Sequence, residues 1–349
     1  MLRALSVSAQ KNSKKSWHAI AHLTIVNAAE ELAYKSSRKA RIVRSVCRRF
    51  GKSTVAYYNE RKRKSQRRVD DKVVVRLVNE IRMELPFLGG RKLYFLAKDN
   101  LRQKNIKIGR DKFFDVLRCN GLLIERRKAF IPKTTKCDAS LPISSNLTKN
   151  LVVNAPNQVH VCDITYIKIG DAFAYLSLVT DRFTREIIGW CLSKSLKTEG
   201  PIAALKMAMR LVPKGMDVTE HSDRGCQYAS RRYRRLLQRL GLRSSMTEEK
   251  HCYENGAAER VNGILKCEFA LDRRFKTFEE AKKAVKESIN AYNTKRPHEM
   301  LGYMTPSQAR ENPEQALPMV LHNFELAQKA SERSAEKRKK AEQAGRKAA

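Results

Sequence analysis

The pattern of apolar and polar positions changes near Pro156. Before it, apolar residues recur with a helical period, first in the segment "RIVRSVCRRF". Gly51 follows as a turn residue and Ser53 as a cap for a second helix, so this segment predicts helix, tight turn and helix. Further helical patterns run from Val69 to Leu101, interrupted at "PFLGGRK", and through "IGRDKFFDVLRCNGLLI".

After Pro156 the pattern becomes that of strands. Three β-rich runs, "QVHVCDITYIKIG", "AFAYLSLVTD" and "REIIGWCLSKS", predict an antiparallel meander. A helix is predicted from Glu199 to Leu211, and the segments that follow predict strand, helix, strand and helix: "MDVTEHSD", "RRYRRLLQRLG", "LRSSMT" and "NGAAERVNGILKCEFAL". The predicted fold class is therefore α/β, a mixed sheet with helices on its faces, preceded by small all-α modules.

Composition and length divide the chain further, since 349 residues suit two or three domains. A stretch rich in Ser, Thr, Asn and Pro, residues 136–156, is predicted to be a linker. It separates a basic helical region, 41–135, from the sheet-forming core, 157–310. Residues 1–40 form an unassigned N-terminal extension, and residues 311–349 a charged, partly helical tail.

Positive charge is concentrated in the front half. The chain has 71 Lys and Arg against 36 Asp and Glu, and residues 1–156 contain 36 of the basic and 12 of the acidic side chains. The block "RKRKSQRR" alone could be a solvated or disordered linker, and helix-turn-helix units also serve as packing devices. The total excess favours a polyanion, and DNA above all, as the partner of residues 41–135.

Cysteines and apolar runs bear on the compartment. The eight cysteines have no C-x-x-C spacing, which argues against a zinc knuckle and a secreted disulfide framework. No apolar export segment or membrane-spanning run occurs, so we expect a cytoplasmic protein without membrane partners.

Three carboxylates lie where chemistry could use them. Asp163 is inside the first strand, where Asp is normally depleted, Asp223 follows the fourth strand, and Glu259 is in the helix after the fifth. Each alone could be a cap, a turn or a surface residue. Acids from different elements can converge, and carboxylate oxygens can hold a pair of hard divalent cations that clamp both oxygens of a phosphoryl displacement.

Four ordered motifs, "CDITYI", "HSDRGCQY", "YENGAAERVNGILKCE" and "YNTKRPHEMLGYMTP", carry a specific resemblance. Together they resemble the retroviral-integrase-like catalytic core of DDE transposases, in the second-reading-frame group of bacterial insertion sequences. Asp223 and Glu259 have 35 residues between them, which is the spacing of that group. The chain departs from the group's usual pattern at His160, often Trp, and at Glu254 and Gly256.

The resemblance implies an RNase H-like core in which Asp163, Asp223 and Glu259 are catalytic and bind two Mg²⁺ or Mn²⁺ ions. It implies a transposase that nicks transposon ends and joins them to target DNA, in the bacterial cytoplasm at the nucleoid. We expect DNA contacts from a further set of residues: Arg224, Asn255, Asn262 and Lys266.

The implied partners are DNA, further copies of the chain in a homo-oligomer on DNA, and a first-frame transposase product. Two alternatives stay open: a catalytically decayed DNA-binding protein, and an RNase H-type nuclease that cuts DNA without joining it.

Overall fold

A computed structural model describes residues 39–49, 51, 53–125, 142–149, 151–248 and 255–348. Most of the predicted N-terminal extension and part of the predicted linker therefore lie outside the described residues, as does Glu254. The chain forms two compact units, Met1–Val75 and Arg76–Ala349.

The predicted helix, tight turn and helix are present in the structure. Helix α1 spans Lys39–Arg49, and α2 begins at Thr54 and ends at Glu84. Gly51 takes a positive φ of 62°, which suits glycine at a tight turn, and Ser53 Oγ caps α2 by accepting the Ala56 N–H at 3.0 Å. The basic block Arg61–Arg68 lies inside α2, so it is helical and not a disordered linker.

Two shorter helices lie in the second unit, α3 at Gly90–Gln103 and α4 at Arg110–Cys119. They bury a shared apolar face: Leu93, Ala97, Leu101, Phe113, Val116 and Leu117. The Phe87 N–H donates to the Glu268 carbonyl at 3.1 Å, and the rings of Phe95 and Tyr303 stack with centroids 4.5 Å apart. These helices therefore pack on the sheet domain, although the sequence assigned them to a separate DNA-binding region.

A five-stranded mixed sheet forms the centre of the second unit, in the order β3-β2-β1-β4-β5. The strands span Val159–Ile169 (β1), Ala172–Asp181 (β2), Ile187–Ser193 (β3), Thr219–Ser222 (β4) and Arg243–Met246 (β5). The first three are antiparallel, whereas β4 runs parallel to both β1 and β5. The antiparallel meander and the mixed α/β sheet predicted from sequence are confirmed.

One face of the sheet is covered by α5 (Glu199–Ala208) and α7 (Arg231–Arg239), which flank the short α6 (Cys226–Ala229). In α7 the apolar side chains Tyr233 and Leu237 are buried while the arginines line its outer surface. Helix α5 lies so close to β3 that a Cβ on Gly189 would meet the Ala204 carbonyl oxygen at 2.1 Å. Only glycine fits there.

The other face is covered by α8 (Gly256–Glu268), α9 (Phe278–Thr294), α10 (Pro306–Glu311) and the start of α11 (Pro313–Ala348). A 3₁₀ turn at Glu299–Leu301 lies between α9 and α10. Val161, Ala258 and Ala316 belong to the same buried cluster. The start of α11 thus packs on the core, beyond the core boundary expected at residue 310. In the described part of the chain no helix is long and apolar enough to cross a membrane.

Candidate active site

Asp163 and Asp223 are neighbours because of strand register. Cys162 on β1 pairs with Ser222, the last residue of β4, and the two strands are parallel. The residues that follow them, Asp163 and Asp223, therefore lie side by side on the same face of the sheet. Burial, followed by the negative charge of Asp223, raises the pKa of Asp163 to about 7. Burial also raises the pKa of Asp223.

The turn after β4 holds the Asp223 side chain. The Gly225 N–H donates to Asp223 Oδ1 at 3.0 Å, and a Cβ on Gly225 would meet that same oxygen at 2.9 Å. A side chain at position 225 would therefore push the carboxylate away. This explains the glycine in "HSDRG", which the sequence alone did not single out.

Helix α8 brings Glu259 to the same site. Glu259 lies in the first turn of α8 at an exposed position. Partial desolvation of its carboxylate, followed by the charge of Asp223, raises its pKa. Two asparagines fix the helix to β1: Asn262 Nδ2 donates to Asp163 Oδ2 at 2.6 Å, and Asn255 Nδ2 donates to the Cys162 carbonyl at 3.0 Å. Contact of either asparagine with DNA stays a prediction.

The two basic residues predicted to contact DNA lie at different places. Burial lowers the pKa of Lys266, and the charge of Asp163 acts in the opposite direction, so its ammonium group is near that carboxylate. Arg224 Nε donates to the Thr247 carbonyl at 2.7 Å, which ties the turn after β4 to the end of β5. Lys266 thus faces the carboxylates, whereas Arg224 braces the backbone beside them.

The three acids form an electrostatic cluster. Burial raises the pKa of Asp163, and the charges of Asp223 and Glu259 raise it further. Among the residues that the structure describes, no three His, Cys, Asp or Glu side chains meet as a ligand set for a metal ion. The three acids thus act on one another's charge, Lys266 offsets only part of it, and their oxygens suit a hard cation or a proton.

The far end of α8 is anchored by an ion-pair network that sequence analysis did not identify. Arg296 is buried and donates from Nε and Nη2 to the two oxygens of Glu268, both at 2.7 Å. Lys92 Nζ lies 3.3 Å from Glu268 Oε1, and the Arg296 Nη1 lies 2.9 Å from His298 Nε2. Arg296 and His298 belong to the motif "YNTKRPH" and thus fix the helix that carries Glu259.

Known proteins match this core. Sequence models of the integrase core domain match residues 153–252 and 240–306. The insertion element IS600 uncharacterized 31 kDa protein of Shigella sonnei is 31% identical over 271 residues, covering 76% of this chain and 97% of that protein. The transposase InsF for insertion sequence IS3fB of Escherichia coli is 34% identical over 194 residues, covering 55% and 67%.

Among solved structures, the HTLV-2 integrase catalytic core domain in complex with magnesium aligns with a TM-score of 0.36 and 19% identity, covering 44% of this chain and 96% of that one. The match to the IS600 protein spans nearly that whole relative, and the catalytic-core motifs fall inside the two integrase-core matches. The chain therefore belongs to the insertion-sequence transposases that have an integrase core domain.

Proposed function

We propose that Asp163, Asp223 and Glu259 are the catalytic carboxylates of this transposase. The chain acts in DNA transposition, a polynucleotidyl transfer, in which phosphodiester bonds at the element's ends are cleaved and the ends are joined to target DNA. The register of β1 and β4, which makes Asp163 and Asp223 neighbours, is the observation that supports these roles.

The integrase-core family depends on a divalent metal ion, and carboxylate oxygens are the kind of ligand that such an ion takes. The three carboxylates are oxygen donors with unbalanced charge, and Asn262 Oδ1 is buried without a hydrogen-bond partner among the described atoms. We propose that Asp163, Asp223 and Glu259 hold two Mg²⁺ or Mn²⁺ ions. The ions would supply positive charge to the attacking and leaving oxygens of the phosphoryl transfer.

The residues around the carboxylates position them. Asn262 fixes Asp163 from α8, and the Gly225 N–H fixes Asp223 from the turn after β4, so neither acid has to be ordered when substrate binds. We propose that Lys266, two turns after Glu259 on the same face of α8, contacts a phosphate of the bound DNA end. Positioning and substrate binding are thus divided between different side chains.

DNA is the partner of the family. We further propose that the chain acts as a homo-oligomer on DNA together with a first-frame transposase product, at the nucleoid in the bacterial cytoplasm. The motifs shared with the second-reading-frame group support this assembly. The excess of basic residues in the first 156 residues supports a large DNA interface.

The test is strand transfer from a pre-cleaved DNA end in Mg²⁺. Glu259→Gln keeps the shape of the side chain and removes its charge, so we expect joining to fall by orders of magnitude while DNA binding survives. Lys266→Ala should weaken end binding by about 1 kcal/mol, with joining recovered at high DNA concentration.

Glu287→Gln is the matched control, since it removes an exposed helix acid elsewhere on the surface. Wild-type joining by Glu259→Gln would remove the third carboxylate from the mechanism. Cleavage by the wild-type chain without any joined product would instead favour the RNase H-type nuclease.

A further inference from the structure

A cavity of about 560 Å³ lies against α8, and none of Asp163, Asp223 and Glu259 lines it. We call it the cationic pocket and define it by its basic lining residues: Lys92, Arg182, Arg185, Arg260 and Arg296. Arg260 follows Glu259 directly in α8, and the helical turn directs the two side chains to different flanks. The pocket is therefore adjacent to the catalytic site but separate from it.

Carboxylates balance only part of this charge. Glu268 pairs with Arg296 and Lys92, and Glu299 is the acid on the pocket lining. Among the described residues, no ion pair joins a carboxylate to the three other arginines of the pocket: Arg182, Arg185 and Arg260. Within the described part of the chain, these three positive charges thus share the cavity without an ion-pair partner, and Glu299 is the acid beside them.

Asp181, whose negative charge acts on Arg185, is hydrogen-bonded to other groups. Asp181 contributes to the charge environment of Arg185, but its Oδ1 accepts the Thr184 N–H at 2.7 Å and its Oδ2 accepts the Asn157 N–H at 2.5 Å. These bonds hold the turn between β2 and β3. Both oxygens of the Asp181 carboxylate therefore accept backbone N–H groups.

The pKa shifts of two pocket residues agree with a high local density of positive charge. Burial lowers the pKa of His298 well below its usual range, and the charges of Arg296, Lys92, Arg185 and Arg260 lower it further. Burial and the charge of Arg185 together lower the pKa of Arg182 to about 10. The cations of the pocket thus act on the same small volume.

One wall of the pocket is apolar, although His221, His298, Glu299 and Asn323 also line the cavity. Val161, Val261, Ile264, Tyr292 and Met300 provide this wall. Concave sites of about 300–1,000 Å³ hold small organic molecules, and a phosphate alone would leave the wall uncovered. A ligand that matches both parts has an anionic end and a flat apolar body.

We propose that the cationic pocket binds one unpaired nucleotide of a DNA strand, with its phosphate on Arg182, Arg185 and Arg260 and its base against the apolar wall. The inference rests on the proposed function, because it takes DNA as the substrate. A paired base is shielded inside the duplex and cannot reach a concave wall, so the pocket selects strands with an unpaired nucleotide.

Binding in EDTA tests this without any contribution from metal-dependent chemistry. The probes are a mixed-sequence single strand of about 16 nucleotides and the duplex of the same sequence. For the full chain carrying Arg185→Gln and Arg260→Gln, we expect affinity for the single strand to fall about tenfold or more and affinity for the duplex to fall about twofold. Glutamine at 185 faces the same positive φ as arginine, so backbone strain is unchanged.

The matched control is Arg235→Gln with Arg239→Gln, two exposed arginines on α7 at the opposite face of the sheet. This control should lower affinity for both probes by the same factor. An equal loss for both probes with the pocket variants would overturn the inference. If the double variant fails to fold, Arg260→Gln alone, at an exposed position, carries the same test.

Competition separates the sources of phosphate. Deoxyadenosine monophosphate should displace the single strand from the wild-type chain at lower concentration than inorganic phosphate or deoxyadenosine, and the pocket variants should remove this difference. Equal competition by inorganic phosphate would reduce the pocket to a simple anion site and overturn the proposal. Strand transfer by Glu259→Gln is measured in a separate assay, so the proposed function and the proposed nucleotide pocket can fail independently of each other.

Discussion

The two flanks of α8 carry opposite charges that the protein leaves unbalanced. On one flank Glu259 faces Asp163 and Asp223, and burial with mutual repulsion raises the pKa of Asp163. On the other flank Arg260 joins the cationic pocket, where burial and neighbouring charges lower the pKa of His298. One helix therefore separates a site for cations from a site for anions.

Such unbalanced charge lowers stability, because like charges repel more strongly where solvent is partly excluded. Both flanks are held by groups that are themselves well paired: Asn262 bonds Asp163 on one side, and Glu268 bonds Arg296 on the other. The contrast teaches that the structural contacts are satisfied while the ligand-facing charges are not. Binding of metal on one side and phosphate on the other would remove both penalties.

The largest effect should come from removing the anchor on the pocket flank. Arg296→Ala leaves Glu268 buried without its bidentate partner and His298 without its neighbour, so we expect the free energy of unfolding to fall by about 3–5 kcal/mol. Urea denaturation at neutral pH measures this.

A double-mutant cycle sharpens the same prediction. Glu268→Ala together with Arg296→Ala should cost less than the sum of the single changes, because neither charge is then left buried alone. Additive losses would show that the pair does not act as a unit and would weaken the contrast between paired anchors and unpaired ligand-facing charges.

A smaller effect is expected on the carboxylate flank from Gly225→Ala. The added Cβ would meet Asp223 Oδ1 at 2.9 Å, so the carboxylate must shift. Displacement of a catalytic group by part of an ångström should slow strand transfer by about 10–100-fold while the melting temperature changes little. Gly109→Ala, where a Cβ meets nothing within 4 Å, should leave the rate unchanged. An unaffected rate in Gly225→Ala would mean that the Asp223 position is not critical.

Much of the carboxylate flank was predictable from the sequence. A strand with an aspartate inside it and a strand followed by another aspartate already indicate convergence, because strand pairing places their ends together. The resemblance to the second-reading-frame group, whose spacing matches that from Asp223 to Glu259, then implied that Glu259 joins them. Each strand is recognisable from its own short run of residues, so the position of each aspartate relative to its strand can be found from the sequence pattern.

The pocket flank was not predictable, because its residues come from distant segments. Arg182, Arg260 and Arg296 converge only in the folded core, and Lys92 joins them because α3 packs on that core. The sequence assigned α3 to a separate basic region. Likewise nothing in "RKRKSQRR" signalled that it continues a single helix to Glu84. A run of basic residues indicates a segment that is either exposed to solvent or bound to a ligand. It does not reveal the tertiary contacts that decide between these two.

The smallest expected effect concerns the pH dependence of stability from Asp163. Its pKa rises from 3.8 to about 7 on folding, so between these values the unfolded chain has released a proton that the folded chain still holds. The free energy of unfolding therefore falls as pH rises through this window, and the full penalty is present above about pH 7. Solvent reaches the partly buried carboxyl, so we expect on the order of 1–2 kcal/mol.

Asp163→Asn removes the titrating group and keeps an oxygen that can accept from Asn262 Nδ2. In EDTA the variant should be as stable as wild type near pH 4 and more stable near pH 8, and Mg²⁺ should close the gap by stabilising wild type. Asp171→Asn, at a side chain that is 97% exposed, is the control and should follow wild type. A stability difference that stays constant across the window would mean that Asp163 is not held against its neighbours' charge. The carboxylate flank would then lack the unbalanced charge that sets it against the cationic pocket.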